Sequence, residues 1–313
     1  MLSPPASVTE ETIRRTIAAS WSSPVRHLSH LPWGFGAHHW RATLEDGRDL
    51  FVTLDALAPR HTRASLEAAY AGAAALAAAG LAAVCAPLPA RSGRYTVELA
   101  GGALSATPWL AGRSPTEAEA QAAPHVERVV AAVRDLHRAA PPPGLPEWAP
   151  RVPGDFADGL RARTAGAWDA GPQAEEARAA IAARLGRIAE WTERYHGLAA
   201  SARARRGTWV PTHGEPHHAN QVVTDQGLRL VDWESLALAP PERDFADLLA
   251  AGAGDRLRAR PAMAELFALD WCLSEIAEYA DWFAAPHTGT EDDLMALEGL
   301  HEELAGPRPQ LSR

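Results

Sequence analysis

Apolar and polar residues alternate along two short runs, 39–44 and 49–54, on either side of Asp46-Gly47. Alternation with period two gives a strand one buried face, and Asp-Gly supplies the positive φ values of a tight turn, so a β-hairpin is predicted. A strand over 25–30 precedes it, joined through the glycine-bearing turn Trp33-Gly34-Phe35-Gly36. A second hairpin is predicted from 95–99 and 104–107 across Gly101-Gly102. Between the two hairpins the alternation disappears, and the alanine-rich run 62–79 predicts a helix.

The segment Pro108-Trp109-Leu110-Ala111-Gly112 then has the character of a hinge. Beyond it, Val126, Val129, Val130, Val133 and Leu136 keep the spacing of one buried helix face. Six prolines between 141 and 153 end that helix. Further helices are predicted over 156–168, 175–204, 260–283 and 291–304, with strand-like pieces only at 208–211 and 221–231. The expected fold class is α+β: a small antiparallel-sheet lobe with one main helix (1–108), a hinge (109–113) and a larger, mostly helical lobe (114–313).

Composition narrows the function classes. The 313 residues suffice for two cores. A net charge of −9 argues against a nucleic-acid partner, which calls for a basic surface. Cys85 and Cys272 are too few for a disulfide framework or a four-thiolate zinc site, and no signal peptide is predicted, so a reducing, cytoplasmic setting is expected. No charge falls between Glu67 and Arg91, a length that could span a bilayer. Its residues are mainly alanine, interrupted by Gly72 and Gly80 and closed by Pro87 and Pro89, so a buried helix is expected and no membrane contact. All 30 basic residues are arginine. Any mechanism that uses a lysine must find another cation here.

The densest chemistry lies in His213-Gly214-Glu215-Pro216-His217-His218-Ala219-Asn220 and the residues up to Asp232. Two apolar runs flank the turn Asp225-Gln226-Gly227, so Asn220 enters and Asp232 leaves a hairpin at the same end. Residues opposed there lie about 4.5–5.5 Å apart at Cα, close enough for an amide oxygen and a carboxylate to share one hard cation. Glu215 precedes Asn220 by five positions in the same loop. A carboxylate base beside a metal-bound polyphosphate is what phosphoryl transfer to a hydroxyl requires.

These residues resemble the catalytic loop of aminoglycoside phosphotransferases and related antibiotic kinases, distant relatives of the protein kinases. The likeness is greatest to spectinomycin-phosphotransferase-like proteins of high-GC bacteria. Val231-Asp232-Trp233-Glu234 matches that family's metal-binding Asp-Trp step, and 241–248 resembles its proline-to-aspartate segment. The resemblance implies a bilobal, protein-kinase-like fold that binds ATP or GTP with Mg2+ and phosphorylates a hydroxylated small molecule, cationic antibiotics included. It implies Glu215 as base, Asn220 and Asp232 as metal ligands, and His213 as a fourth member of the catalytic loop. It also implies nucleotide contacts from Gly34, Phe35 and Gly36, from Thr53 and Glu67, and from the hinge residues Trp109, Leu110 and Ala111. Glu234, Glu278, Asp281 and Trp282 are the candidate substrate contacts. Two departures stand out: glutamate replaces the family's usual aspartate base, and Thr53 stands where a lysine is expected, with Glu67 as that lysine's ion-pair partner. Arg41 and Arg63 are the nearest substitutes for the lysine.

Plainer roles compete for several of these side chains. His213 suits a loop brace, and Asp270, Ser274, Glu278 and Asp281 suit a solvated helix face. The His-x-Glu of 213–215 also occurs in zinc deaminases, but the Pro-Cys-x-x-Cys that they need is missing. A relative that binds nucleotide or antibiotic without transferring phosphate is the remaining alternative.

Overall fold

Alternate side chains of the first predicted hairpin are buried, and the sheet they belong to organises the first of two compact units. The structure, a computed structural model, describes residues 1–5, 7–34, 36–57 and 60–307. One unit comprises Met1–Glu147 and Val210–Ala239; the other comprises Trp148–Trp209 and the chain from Pro240 onward.

In the first unit, helix α1 (Glu10–Trp21) leads into strands β1 (Val25–Leu31), β2 (Ala37–Leu44) and β3 (Asp49–Asp55). Helix α2 (Arg63–Ala78) and strands β4 (Val97–Leu99) and β5 (Gly102–Pro108) follow. The five strands form an antiparallel sheet in the order β1-β2-β3-β5-β4. Trp40, Ala42 and Leu44 of β2 and Leu50, Val52 and Leu54 of β3 fill one core with Ile13, Ile17 and Trp21 of α1. Helix α1 was not foreseen, because only three large apolar residues, Ile13, Ile17 and Trp21, mark its buried face. The alternate residues His39, Arg41, Asp49, Phe51 and Thr53 occupy the other face of the sheet, as strand geometry requires. At Gly102 a Cβ would meet the Asp55 carbonyl oxygen at 2.5 Å, so the glycine lets β5 run against the end of β3.

The same unit continues through β6 (Gly112–Arg113), α3 (Glu117–Ala120) and α4 (Ala123–Arg138), and resumes with β7 (Val210–Thr212), β8 (Gln221–Thr224), β9 (Gly227–Leu230) and β10 (Ala237–Ala239). Strand β8 lies between β6 and β9, while β7 pairs with β10. Gly112 pairs with Thr224, and α4 packs on β7 and β9, which draws 114–147 and 210–239 together with the sheet.

The second unit is helical: α5 (Phe156–Thr164), α6 (Ala174–Arg203), α7 (Ala246–Ala250), α8 (Gly254–Leu257), α9 (Pro261–Ala284) and α10 (Glu291–Ala305). Ile181, Ile188 and Tyr195 of α6 and Leu266, Leu273, Ile276 and Phe283 of α9 are buried here. The expected solvated row on α9 is not one: Asp270 and Ser274 are buried. Tyr195 Oη and Trp148 Nε1 donate hydrogen bonds to Asp270, and Arg151 Nε lies 3.6 Å from it. A buried carboxylate needs partners of this kind, which spacing along one helix cannot reveal. Among the described residues, no helix is long and apolar enough to cross a membrane.

Residues Pro241–Asp244 form a 3-10 turn in which Glu242 is 2% exposed. Burial would raise its pKa, but Arg260 donates to it from the backbone N–H at 3.0 Å and from Nε and Nη2 at 2.8 Å, and holds it below the usual carboxylate range. A depressed folded pKa contributes stability that is present at neutral pH and is lost as pH falls through the folded value. Arg260→Ala should therefore lower the unfolding free energy by about 3 kcal/mol at neutral pH. The deficit should shrink on acidification, as the orphaned carboxyl takes up a proton; urea denaturation across pH checks both.

Candidate active site

His213 follows β7 directly and is fully buried. Its Nε2 lies 2.9 Å from the Val231 carbonyl, and its Nδ1 accepts the Glu215 N–H at 3.3 Å, a pattern that fits the neutral tautomer protonated at Nε2. The ring packs on Trp233 with centroids 4.5 Å apart, and Trp233 Nε1 donates to the Leu230 carbonyl at 2.9 Å. With both nitrogens occupied, His213 braces the loop and cannot ligate zinc.

The chain then turns through a 3-10 segment, His218–Asn220, into β8. Strand register pairs Gln221 with Leu230, and the Val231 N–H donates to the Asn220 carbonyl at 3.0 Å. Val231, rather than Asp232, thus stands opposite Asn220. Asp232 follows in the left-handed region at φ 65, a costly conformation for a residue other than glycine that is found at functional turns. Asn220 Nδ2 donates to the Glu215 carbonyl at 3.0 Å, which fixes the orientation of the amide.

Four carboxylates meet in this unit. Asp232 is exposed to water, with Glu234, Glu215 and Asp55 near enough to act on its charge. Its pKa is raised well above the usual range, by loss of hydration first, then by Glu234, Glu215 and Asp55, with Arg60 opposing. Asp55, buried at the end of β3, is raised by burial and by Glu234 and accepts the Tyr70 hydroxyl at 3.3 Å. Arg60 Nη1 is 3.8 Å from Glu215 Oε1 and 3.9 Å from Glu234 Oε1. His61 Nε2 is 3.3 Å from Glu234 Oε2, and Ser235 Oγ is 3.5 Å from Glu215 Oε1.

Among the described residues, no group of three or more His, Cys, Asp or Glu is arranged to hold a metal ion. The donor set instead suits a hard divalent cation bound by the Asn220 oxygen and Asp232, with phosphate and water completing its shell. Mutual repulsion raises the proton affinity of these carboxylates, and a cation would relieve it.

The expected site residues divide into those near this cluster and those engaged elsewhere. Gly34 and Gly36, at φ 70 and 85, form the turn between β1 and β2; Phe35 lies outside the described residues. Thr53 Oγ1 is 3.2 Å from His39 Nδ1. Glu67 is bound to the start of β4: it accepts from the Tyr95 and Thr96 N–H groups at 3.0 and 2.7 Å and from the Thr96 hydroxyl. Trp109 joins an aromatic group with Trp33 and Phe51 on the open face of the sheet; Leu110 is half-buried beside it and Ala111 is exposed. Arg41 bonds Asp49 and covers the Trp109 ring at 4.5 Å, and Arg63 bonds Glu98. In the helical unit, Glu278 is half-buried, Asp281 pairs with Arg163 at 2.8 Å and Trp282 Nε1 donates to Asp293 at 2.8 Å.

Sequence reasoning missed Asp55, Arg60, His61 and Tyr70. Two signals were present: an acidic residue closing an apolar strand, and a single aromatic residue in the alanine-rich helix.

The model of the phosphotransferase enzyme family matches residues 27–282. Protein StrN of Streptomyces griseus is 33% identical over 239 residues, 72% of each chain. The fold is shared with spectinomycin phosphotransferase in complex with ADP and spectinomycin (TM-score 0.71, 12% identity, 94% of both chains). It is also shared with amicoumacin kinase in complex with AMP-PNP, Ca2+ and Ami (TM-score 0.57, 14% identity, 96% of this chain and 94% of that one).

A raised folded pKa means that Asp55 holds its proton more tightly folded than unfolded, so its contribution to stability is fully present at low pH and declines as pH rises through the folded value. Asp55→Asn abolishes that decline. Its unfolding free energy relative to the native chain should climb as pH rises above the usual carboxylate range. Urea denaturation of both proteins over that rise checks the slope, and a difference that stays constant with pH would refute it.

Proposed function

Because the chain belongs to the phosphotransferase enzyme family, we propose that it is a small-molecule kinase, transferring the γ-phosphoryl group of ATP or GTP to a hydroxyl of an antibiotic or related metabolite. The observation that carries this reading is the single loop and hairpin that fix Glu215, Asn220 and Asp232 together, with the Glu215 N–H on His213 and the Glu215 carbonyl on Asn220. Glu215 takes the proton of the acceptor hydroxyl as its oxygen bonds to the γ-phosphorus and the bond to the bridging oxygen breaks, releasing the nucleoside diphosphate. Asn220 and Asp232 hold Mg2+, which supplies charge neutralisation at the phosphates when bound. His213 keeps the base in register. The open sheet face at Trp33, Phe51 and Trp109 offers the base a stacking surface, and the turn at Gly34 and Gly36 covers the phosphates.

Glu234 is assigned to the acceptor. Asp281 and Trp282 take second place, since Arg163 and Asp293 already engage them. The lobe boundary at 109–113 belongs to this reading, as does the cytoplasm, where nucleotide and Mg2+ are supplied. A second reading, binding without transfer, is favoured by Thr53 standing where a lysine is expected and by the commitment of Glu67 to β4.

Incubation with Mg-ATP and a panel of aminoglycosides, nucleoside antibiotics and hydroxylated metabolites, followed by mass spectrometry, separates the two. Gain of one phosphoryl group on an acceptor is expected. Asp232→Ala should abolish it with the fold intact by circular dichroism. Glu215→Gln should lower kcat by about 10²- to 10⁴-fold with little change in nucleotide affinity. A native protein that binds nucleotide but modifies nothing, or an unchanged kcat in Glu215→Gln, would remove Glu215 from the role of base.

A further inference from the structure

The buried residues of β9, Leu228 and Leu230, are apolar, yet β8 opens with an amide: Gln221, opposite Leu230, is 3% exposed. A buried amide carries a desolvation cost that an aliphatic side chain in the same space would not, unless both its ends are bonded. Both are. Gln221 Nε2 donates to the Pro216 carbonyl at 2.7 Å. Its Oε1 lies 2.6 Å from Nε2 of His125, a buried residue in the first turn of α4.

The direction of these bonds is set from α4. Arg128 Nη2 is 3.1 Å from His125 Nδ1, and a guanidinium can only donate, so Nδ1 accepts and the imidazole proton sits on Nε2. That N–H donates to Gln221 Oε1, which turns the amide N–H towards Pro216. Arg128, His125, Gln221 and the Pro216 carbonyl thus form one donor-to-acceptor series ending at the residue after Glu215.

The series holds the backbone around the base from outside its own loop. His213 accepts the Glu215 N–H and Asn220 donates to the Glu215 carbonyl, but both belong to the same short stretch of chain. Through Gln221 the loop is referred instead to a helix residue 96 positions away in sequence. We propose that Gln221, oriented by His125, is a positioning residue for phosphoryl transfer: it fixes the chain just after Glu215 and so aims the carboxylate at the acceptor hydroxyl. Both side chains are buried, so their effect falls on where the base stands and not on nucleotide binding. The inference rests on the kinase reading above, with Glu215 as base, and the test separates the two.

The measurements, all on the full chain, are phosphoryl transfer from Mg-ATP, to the acceptor that the panel above yields or to water, and isothermal titration with ADP in Mg2+. Gln221→Leu removes both bonds with little change of volume. It should lower kcat by about 10- to 100-fold, as a misplacement of ~1 Å does, with ADP affinity unchanged. His125→Leu should do the same, and the double variant should lose no more than either alone, because the pair acts as one unit. His125→Gln, whose amide can again donate to Gln221 Oε1, should recover part of the rate, which a role in packing alone would not produce. Hydrogen exchange should quicken across 213–220 in Gln221→Leu. If Gln221→Leu does not fold, the two His125 variants carry the comparison. A native kcat in Gln221→Leu and His125→Leu, equal rates in His125→Leu and His125→Gln, unchanged exchange, or a loss of ADP affinity as large as that of kcat would each overturn the positioning role and leave the kinase reading in place. A native chain that moves no phosphate would overturn the kinase reading, and the inference with it.

Discussion

The structure depends on keeping acids together that repel one another. Asp55 comes from the end of a strand, Glu215 from a loop, and Asp232 and Glu234 from the segment that leaves a hairpin. Asp55 and Asp232 both hold their protons above the usual carboxylate range, through burial first and then through the neighbouring acids. Repulsion of this kind opposes folding and is found where function requires it, because charge held in place before a ligand arrives needs no reorganisation afterwards. A cationic ligand is what relieves it.

The frame that resists the repulsion is a set of hydrogen bonds made by neutral groups. His213 ties the Glu215 backbone to Val231, and Asn220 ties the Glu215 carbonyl to the head of β8. Behind them, Gln221 Nε2 donates to the Pro216 carbonyl at 2.7 Å, while its Oε1 accepts from His125 Nε2 at 2.6 Å. The loop is thus pinned along its length, and α4 reaches it through His125. Neutral donors suit this task, since a charged brace would compete with the ligand for the same acids.

Much of this was legible in the sequence, for reasons that particular residues make plain. Strands β2 and β3 announce themselves because one face of each is buried and the other is not. The hairpin of β8 and β9 is marked by its turn, and Glu215, Asn220 and Asp232 lie close together along the chain. What was not legible depends on contacts distant in sequence. The pairing of Asp55 with Tyr70, the approach of Arg60 to Glu215 and the burial of Asp270 under Trp148 and Tyr195 each join elements whose packing no local period encodes. Spacing placed Asp270 and Ser274 in one acidic row with Glu278 and Asp281. Only the surroundings of α9 separate the buried pair from the other two.

The same distinction accounts for the missing ion pair. A lysine on β3 and a glutamate on α2 would form a device that sequence position suggests, and here both halves have other partners: Thr53 meets His39, and Glu67 holds the start of β4. An arginine at position 53 would carry a longer, planar head into a face already occupied by His39 and Phe51, whose rings stack with centroids 5.0 Å apart. A loop beyond the strand avoids that crowding, and from there a guanidinium spans the distance to two acids at once.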